Sequence, residues 1–250
     1  MAHDATLARR LLARFPWLYR AEMNRRVLWS RVSRRRAIAR YLAGAPNPRL
    51  HIGAGETVLD GWLNTDVRIH RRSRVVFLDA CAPFPMGANS FAYVFSEHQF
   101  EHISEADGAR MITECFRVLR PGGTLRLATP DLAWVESLRR SVLSPEQTRY
   151  VAWMSAGLGK AGPDVSAVVA ALHHGCGSEP GSGHQRLYSY DALRAALERA
   201  GFASVRRCVM GESTHTALRG VEHHGAIVGN EEIVRLETLV VEADKPREPG

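Results

Sequence analysis

The stretch PRLHIGAGETVLDGWLNTDVRIHRRSRVVFLD, Pro48 to Asp79, decides how this 250-residue chain is read. A short apolar run, Arg49–Ile52, leads into Gly53-Ala54-Gly55. A second strand-like run, Trp62–Val67, carries Asp66, and a third, Val75–Leu78, ends at Asp79. Glycines at the end of a strand let the backbone turn sharply and come close to a ligand with no Cβ in the way. A carboxylate at the end of the next strand is placed to accept the hydroxyls of a ribose. The stretch therefore predicts a nucleoside-type cofactor lying across the carboxyl ends of parallel strands.

A dinucleotide site needs G-x-G-x-x-G opening a helix and an acid about 20 residues further on. Here the third glycine position is Val58, and Asp66 follows Gly55 by only 11 residues. A pyrophosphate cradle is poorly supported. A cofactor with adenosine and no phosphate fits better, which points to S-adenosylmethionine.

LHIGAGE, GWLNTD, FLDACAPFP, YVFSEHQFEH and FRVLRPGGTLRLATPD follow one another along the chain. In this order they resemble the motifs of class I S-adenosylmethionine-dependent methyltransferases. Nearest in pattern is a small-molecule and glycan branch with GxG…GWxNxD and a fourth strand ending in SEHxxEH. The resemblance covers Arg49 to Ala243. It implies a Rossmann-like α/β fold whose seven-stranded, mostly parallel sheet has the order 3-2-1-4-5-7-6 and an antiparallel seventh strand. It also implies S-adenosylhomocysteine as product. By this likeness the cofactor residues are His51, Gly53, Ala54, Gly55, Asp66, Asp79, Ala80, Ser96 and Glu97. Asp79 would lie near the adenine amine and Ala80 would give it a backbone N–H. His51 stands where such chains often have an acidic or polar residue.

Working outward, Gly44–Pro48 reads as a linker and residues 1–48 as a basic amphipathic helical segment. Residues 1–40 hold 11 arginines and two acids, +9 against a whole-chain charge of +7, so the remaining 210 residues carry −2. Three readings fit that segment: a packed helix with a solvated basic face, contact with an anionic membrane or acidic carrier, or RNA binding. Arginine without aromatic platforms makes nucleic acid the weaker partner. No run approaches 18 apolar residues, and the start lacks the apolar core of a secretory signal. Four scattered cysteines suit reduced thiols. These features predict a cytoplasmic protein, with the membrane periphery as the alternative.

Phe91–Phe95 reads as the fourth strand, Ile103–Leu119 as the following helix, and Pro121-Gly122-Gly123 as the turn into a fifth strand, Thr124–Ala128. Residues 141–187 break the strand–helix alternation and read as a helical lid inserted into a domain spanning 49–243. A helix at Tyr190–Ala200 and an antiparallel pair, Phe202–Met210 with Leu236–Ala243, close the domain, and 244–250 is a tail.

Methyl transfer to oxygen benefits from a general base of near-neutral pKa, and histidine is the usual one. His98, at the carboxyl end of the fourth strand, is the first candidate; its alternative role is to wall the pocket. His184 in the lid is the second, with Arg186 and Tyr188 beside it as contacts for an acceptor. His102 reads as a helix-start residue. His173, His174, Cys176 and His184 lack paired metal-ligand spacing, so no metal is expected. SEHQ stands where base N-methylating enzymes carry an (N/D)PPY-type motif, which favours a small-molecule or glycan hydroxyl as acceptor. Two other readings fit the chain: a catalytically degenerate cofactor-binding module, and an RNA-directed methyltransferase using the arginine segment.

Overall fold

A computed structural model describes residues 33–68, 74–175 and 183–247. The readings made for residues 1–32, for Cys176 and for the end of the tail lie outside the described residues. Among the described residues no helix is long and apolar enough to cross a membrane.

Seven strands form one sheet: β1 (Arg49–Ile52), β2 (Leu63–Asp66), β3 (Val76–Phe77), β4 (Phe91–Glu97), β5 (Leu119–Pro130), β6 (Ala203–Cys208) and β7 (Thr238–Asp244). Their order is β3-β2-β1-β4-β5-β7-β6. The first five pair in parallel, and β7 runs antiparallel between β5 and β6. This is the class I methyltransferase sheet that the motifs imply.

Burial explains the strand sequences. In β4 and β5 the central residues are covered on both faces, so apolar residues run on without alternation. The largest apolar cluster joins Leu50, Ile52, Val94, Leu125, Leu127 and Val241 of the sheet to Met111, Ile112 and Leu193 of the helices behind it. Each such side chain contributes roughly 1.5–3 kcal/mol of transfer free energy.

The helices are α1 (residues 33–44), α2 (Glu105–Val118), α3 (Leu132–Ser137), α4 (Pro145–Gly157), α5 (Val165–His174), α6 (Tyr190–Arg199), α7 (His224–Val228) and α8 (Glu231–Glu237). Their starts are written in the sequence. Ser104 accepts the Asp107 N–H at 3.1 Å at the head of α2, and Ser144 with Gln147 forms a capping box before α4.

Three expectations change. β5 does not begin after Pro121-Gly122-Gly123; it begins at Leu119 and passes through them, with a register shift against β4 between Phe91 and Tyr93. A Cβ on Gly123 would come 2.9 Å from the carbonyl oxygens of Ala92 and Arg120, so glycine here lets the strand pass close to its neighbour. The segment is strand, not turn, because Gly122 and Gly123 exchange backbone hydrogen bonds with Lys245 at 2.8 Å. The second change is at the start of α2, where Phe100–His102 forms a separate 3-10 turn and Ser104, not His102, caps the helix. The third is α8, which occupies part of the region read as strand. Asn230 accepts the Ile233 N–H at its head, and the helix runs through Leu236 before β7 begins.

Within the stretch read as a lid, α4 and α5 share a small apolar core. Tyr150, Val151, Val168, Val169 and Leu172 pack against Val135 and Leu138 near α3 and Ile233 of α8. The insertion thus rests on elements that leave the carboxyl ends of β5 and precede β7.

Candidate active site

A cavity of about 400 Å³ opens at the carboxyl ends of β1, β2 and β3. Gly53, Gly55, Asp66, Asp79, Ala80, His98 and Gln99 are among its walls. Gly53 has φ +74°, and a Cβ there would lie 2.5 Å from Gln99 Cγ, so the β1 turn closes only with glycine. Asp66 is held by two backbone donors, with its Oδ2 2.9 Å from the Gly55 nitrogen and its Oδ1 2.6 Å from the Arg68 nitrogen. Asp79 accepts the Cys81 N–H at 2.9 Å. Two carboxylates are therefore fixed on one wall of a glycine-floored cavity, a pair of acceptors that fits ribose hydroxyls and an adenine amine.

Four other residues expected at the cofactor do not line this cavity. His51 is buried, with its Nδ1–H directed to Asn64 Oδ1 at 3.0 Å and its ring stacked on Phe95 at 5.1 Å. Burial pushes its imidazole down to about 4, the Asn64 hydrogen bond opposing more weakly. Ala54 and Ser96 are also buried in the fold. Glu97 turns the other way and accepts the backbone N–H of His223 at 2.9 and 3.1 Å and of His224 at 3.0 Å. In β1 the alternation of side chains sends His51 to the face opposite Ile52, which lines the cavity.

A second cavity, of about 430 Å³, adjoins the first and shares His98 and His102 with it. Trp153, Met154, Leu158 and Leu172 of the insertion form one side, and Pro130, Val228 and Val234 contribute more apolar surface. The polar lining consists of His98, His102, His184, His224 and Glu237. Arg186 is not part of it. That guanidinium pairs with Glu105 and lies over the Tyr188 ring at 5.2 Å, and Tyr188 is buried against Phe100.

The histidines differ in protonation because their partners differ. His98 adopts φ +44°, an uncommon backbone state for a non-glycine residue that is held by surrounding structure. Its Nδ1 lies 3.2 Å from Glu101 Oε1 and its Nε2 3.0 Å from Thr238 Oγ1. Thr238 donates its own proton to Val234 O at 2.7 Å, so its oxygen accepts from His98. Both His98 nitrogens thus face acceptors. Burial opposes the charged ring, but Glu101, Glu237 and Glu97 together outweigh it and raise the pKa above the usual histidine value. His224 stacks on His98 and is driven down to about 3, by burial first and by the His98 charge second. His102 and His184 each give Nδ1 to a backbone carbonyl, Gly183 O at 3.2 Å and Leu172 O at 2.5 Å, so in the neutral ring Nε2 is the nitrogen that carries the lone pair. Burial lowers the His184 pKa. The buried Glu237 is raised, by desolvation first, and receives the Tyr150 hydroxyl.

The structure brings His98 and His184 to one cavity. Glu101, His102, His224, Glu237 and Thr238 were missed as site residues. Glu101 and His102 stand inside the motif SEHQFEH, so a signal was present. His224 and Glu237 arrive from α7 and α8, and no local pattern marks them. His173, placed with His184 in the sequence, instead lies on the surface 3.2 Å from Glu136.

Residues 58–127 match the family described as "Methyltransferase domain". The chain is similar in structure to an S-adenosylmethionine-dependent methyltransferase of Methanosarcina mazei at 15% identity, covering 84% of this chain and 98% of that one with a TM-score of 0.46. A counterpart from Archaeoglobus fulgidus has 16% identity over 92% and 100% of the two chains, with a TM-score of 0.44. One from Mesorhizobium loti has 16% identity over 79% and 90%, with a TM-score of 0.43. No curated protein matches the chain. The fold assignment rests on the strand order itself.

Proposed function

We propose that this chain is an S-adenosylmethionine-dependent methyltransferase that methylates a hydroxyl of a small molecule or glycan. The enzyme class rests on the methyltransferase-domain match over residues 58–127 together with the sheet order. One observation carries the rest: the glycine- and carboxylate-lined cavity meets the apolar, histidine-rich cavity at His98 and His102. When bound, S-adenosylmethionine supplies an electrophilic methyl group on sulfur.

This chain's residues then have separable tasks. Asp66 and Asp79 hold polar edges of the nucleoside, and Gly53 and Gly55 let the backbone approach it. The insertion, carrying Trp153, Met154 and Leu158, acts as a cap that excludes water and gives the acceptor an apolar seat. His98, with an acceptor at each nitrogen, is held in the charged form and orients the junction without taking up a proton. The proton of the acceptor hydroxyl passes to a free Nε2, that of His184 or His102.

The lining also narrows the acceptor. Among the described residues the second cavity's lining holds no Lys or Arg and is mostly apolar, with His98 as its cationic side chain. An uncharged molecule with an aromatic or aliphatic body and one exposed hydroxyl suits it best.

The test is calorimetric titration with S-adenosylmethionine followed by tritium-methyl transfer to a panel of phenols, hydroxylated polyketides and deoxysugars. Cofactor affinity with transfer to oxygen supports the reading. Cofactor affinity without transfer to any acceptor favours a degenerate binding module, and no affinity removes the cofactor assignment.

A further inference from the structure

We infer that Glu101, His102 and His184 form a binding site for a divalent transition-metal ion, of the zinc, cobalt or manganese kind, at the junction of the two cavities. This rests on, and deepens, the reading of that junction as the place where the acceptor hydroxyl is held.

The donor set is the first argument. A carboxylate oxygen of Glu101 and one ring nitrogen each of His102 and His184 lie within 4.8 Å of one another. Two imidazoles and a carboxylate are a familiar set for such ions and leave positions for outside ligands. With metal–ligand bonds near 2.1 Å, donors around one ion stand roughly 3–3.5 Å apart. The trio spans up to 4.8 Å, so binding an ion draws the three side chains closer together.

The second argument is independent and concerns the hydrogen bonds behind the donors. Metal-binding histidines characteristically give their other ring N–H to a carbonyl or carboxylate, which fixes the tautomer and aims the lone pair. Both imidazoles here already do so: His102 Nδ1 to Gly183 O, and His184 Nδ1 to Leu172 O. Their rings sit edge to face, 4.9 Å between centroids. The two carbonyls come from different segments, so the arrangement is not a by-product of one helix.

The third is the state of Glu101. Its side chain is fully buried, with Oε2 accepting from Thr129 Oγ1 at 3.1 Å and Oε1 paired with His98 Nδ1 at 3.2 Å, so the group is held as a carboxylate next to the two imidazoles. The spacing rule applied to the sequence overlooked this trio, because His184 joins Glu101 and His102 only through tertiary packing. An ion held there would take up the imidazole lone pairs that otherwise accept the hydroxyl proton, and would instead lower the pKa of the coordinated acceptor hydroxyl, whose proton leaves to water, beside the cofactor cavity that His102 also lines.

The experiment uses the full chain, stripped with a chelator and desalted. Zn²⁺ is titrated in competition with a chromogenic chelator, and Co²⁺ is added separately for its visible absorption. The expected result is one ion per chain, with a Co²⁺ spectrum of low coordination number. His184→Ala and His102→Ala should each weaken Zn²⁺ binding by roughly tenfold or more, with circular dichroism melts confirming folded protein. His184→Gln replaces His184→Ala if the latter does not fold. Uptake below one equivalent in the wild type, or uptake unchanged in both histidine variants, overturns the site. S-adenosylmethionine titration of the same samples keeps the two readings apart. Cofactor binding without metal removes only the metal site, and metal binding without cofactor removes only the methyltransferase reading.

Discussion

His98 and His224 stack with ring centroids 4.0 Å apart and planes 15° from parallel, and the pair divides one charge unequally. His98 keeps its proton because Glu101, Glu237 and Glu97 surround it. His224, anchored by its N–H to Glu97, must then remain neutral, since a second charge would face the first at contact distance.

Nuclear magnetic resonance titration of labelled imidazoles should show this division. His98 should titrate above the usual histidine value, while His224 stays neutral down to about pH 3. In Glu101→Gln the largest favourable partner of the His98 charge is lost, burial dominates, and the His98 midpoint should drop below 6.5. An unchanged midpoint in that variant would break the assignment of Glu101 as the charge partner.

Asp66→Ala should cost at least tenfold in S-adenosylmethionine affinity, read by calorimetry, with the thermal midpoint nearly unchanged. The carboxylate sits at the cavity wall and ties Gly55 to Arg68 by backbone hydrogen bonds, so it shapes the ligand site without supporting the core. Wild-type affinity in this variant would remove Asp66 from the ribose contact.

Acid should destabilise the fold through His51. Its pKa is depressed to about 4 in the fold and is near 6.5 when unfolded. The unfolded chain therefore binds the extra proton, so the stability is fully present above pH 6.5 and is lost as pH falls toward 4. The full loss approaches about 3 kcal/mol. Urea unfolding from pH 7 to pH 4 should show a shallower decline in His51→Gln than in the wild type. Parallel curves for the two proteins would mean that His51 does not carry the effect.

Arg126→Leu should destabilise the protein by about 3–5 kcal/mol. The guanidinium is fully buried, with Nε 2.5 Å from Glu222 and Nη1 2.6 Å from Glu242. Its loss strands two carboxylates in the interior, although Arg206 still contacts Glu242 at 2.6 Å. Chemical denaturation gives the value, and a loss under 1 kcal/mol would show that the cluster relaxes or admits water.

What the sequence alone determined here is local and ordered. Gly53, Gly55, Asp66 and Asp79 are legible because backbone turns and strand ends act over a few residues, and the ordered motifs carry the family resemblance that implies the sheet topology. The capping serines and the buried apolar runs are legible for the same reason. The tertiary structure alone decided which side chains meet. His51, Ser96 and Glu97 share the motif strands with true cavity residues, but strand alternation and packing turn them into the core or toward α7. His102 changes from a helix-start residue to one shared by both cavities, because Gly183, 81 positions away, supplies the carbonyl that orients it. His184 reaches Glu101, and His224 reaches His98, only because the insertion and α7 fold over the ends of the strands. Those approaches are set by packing between distant segments, on which local periodicity has no hold.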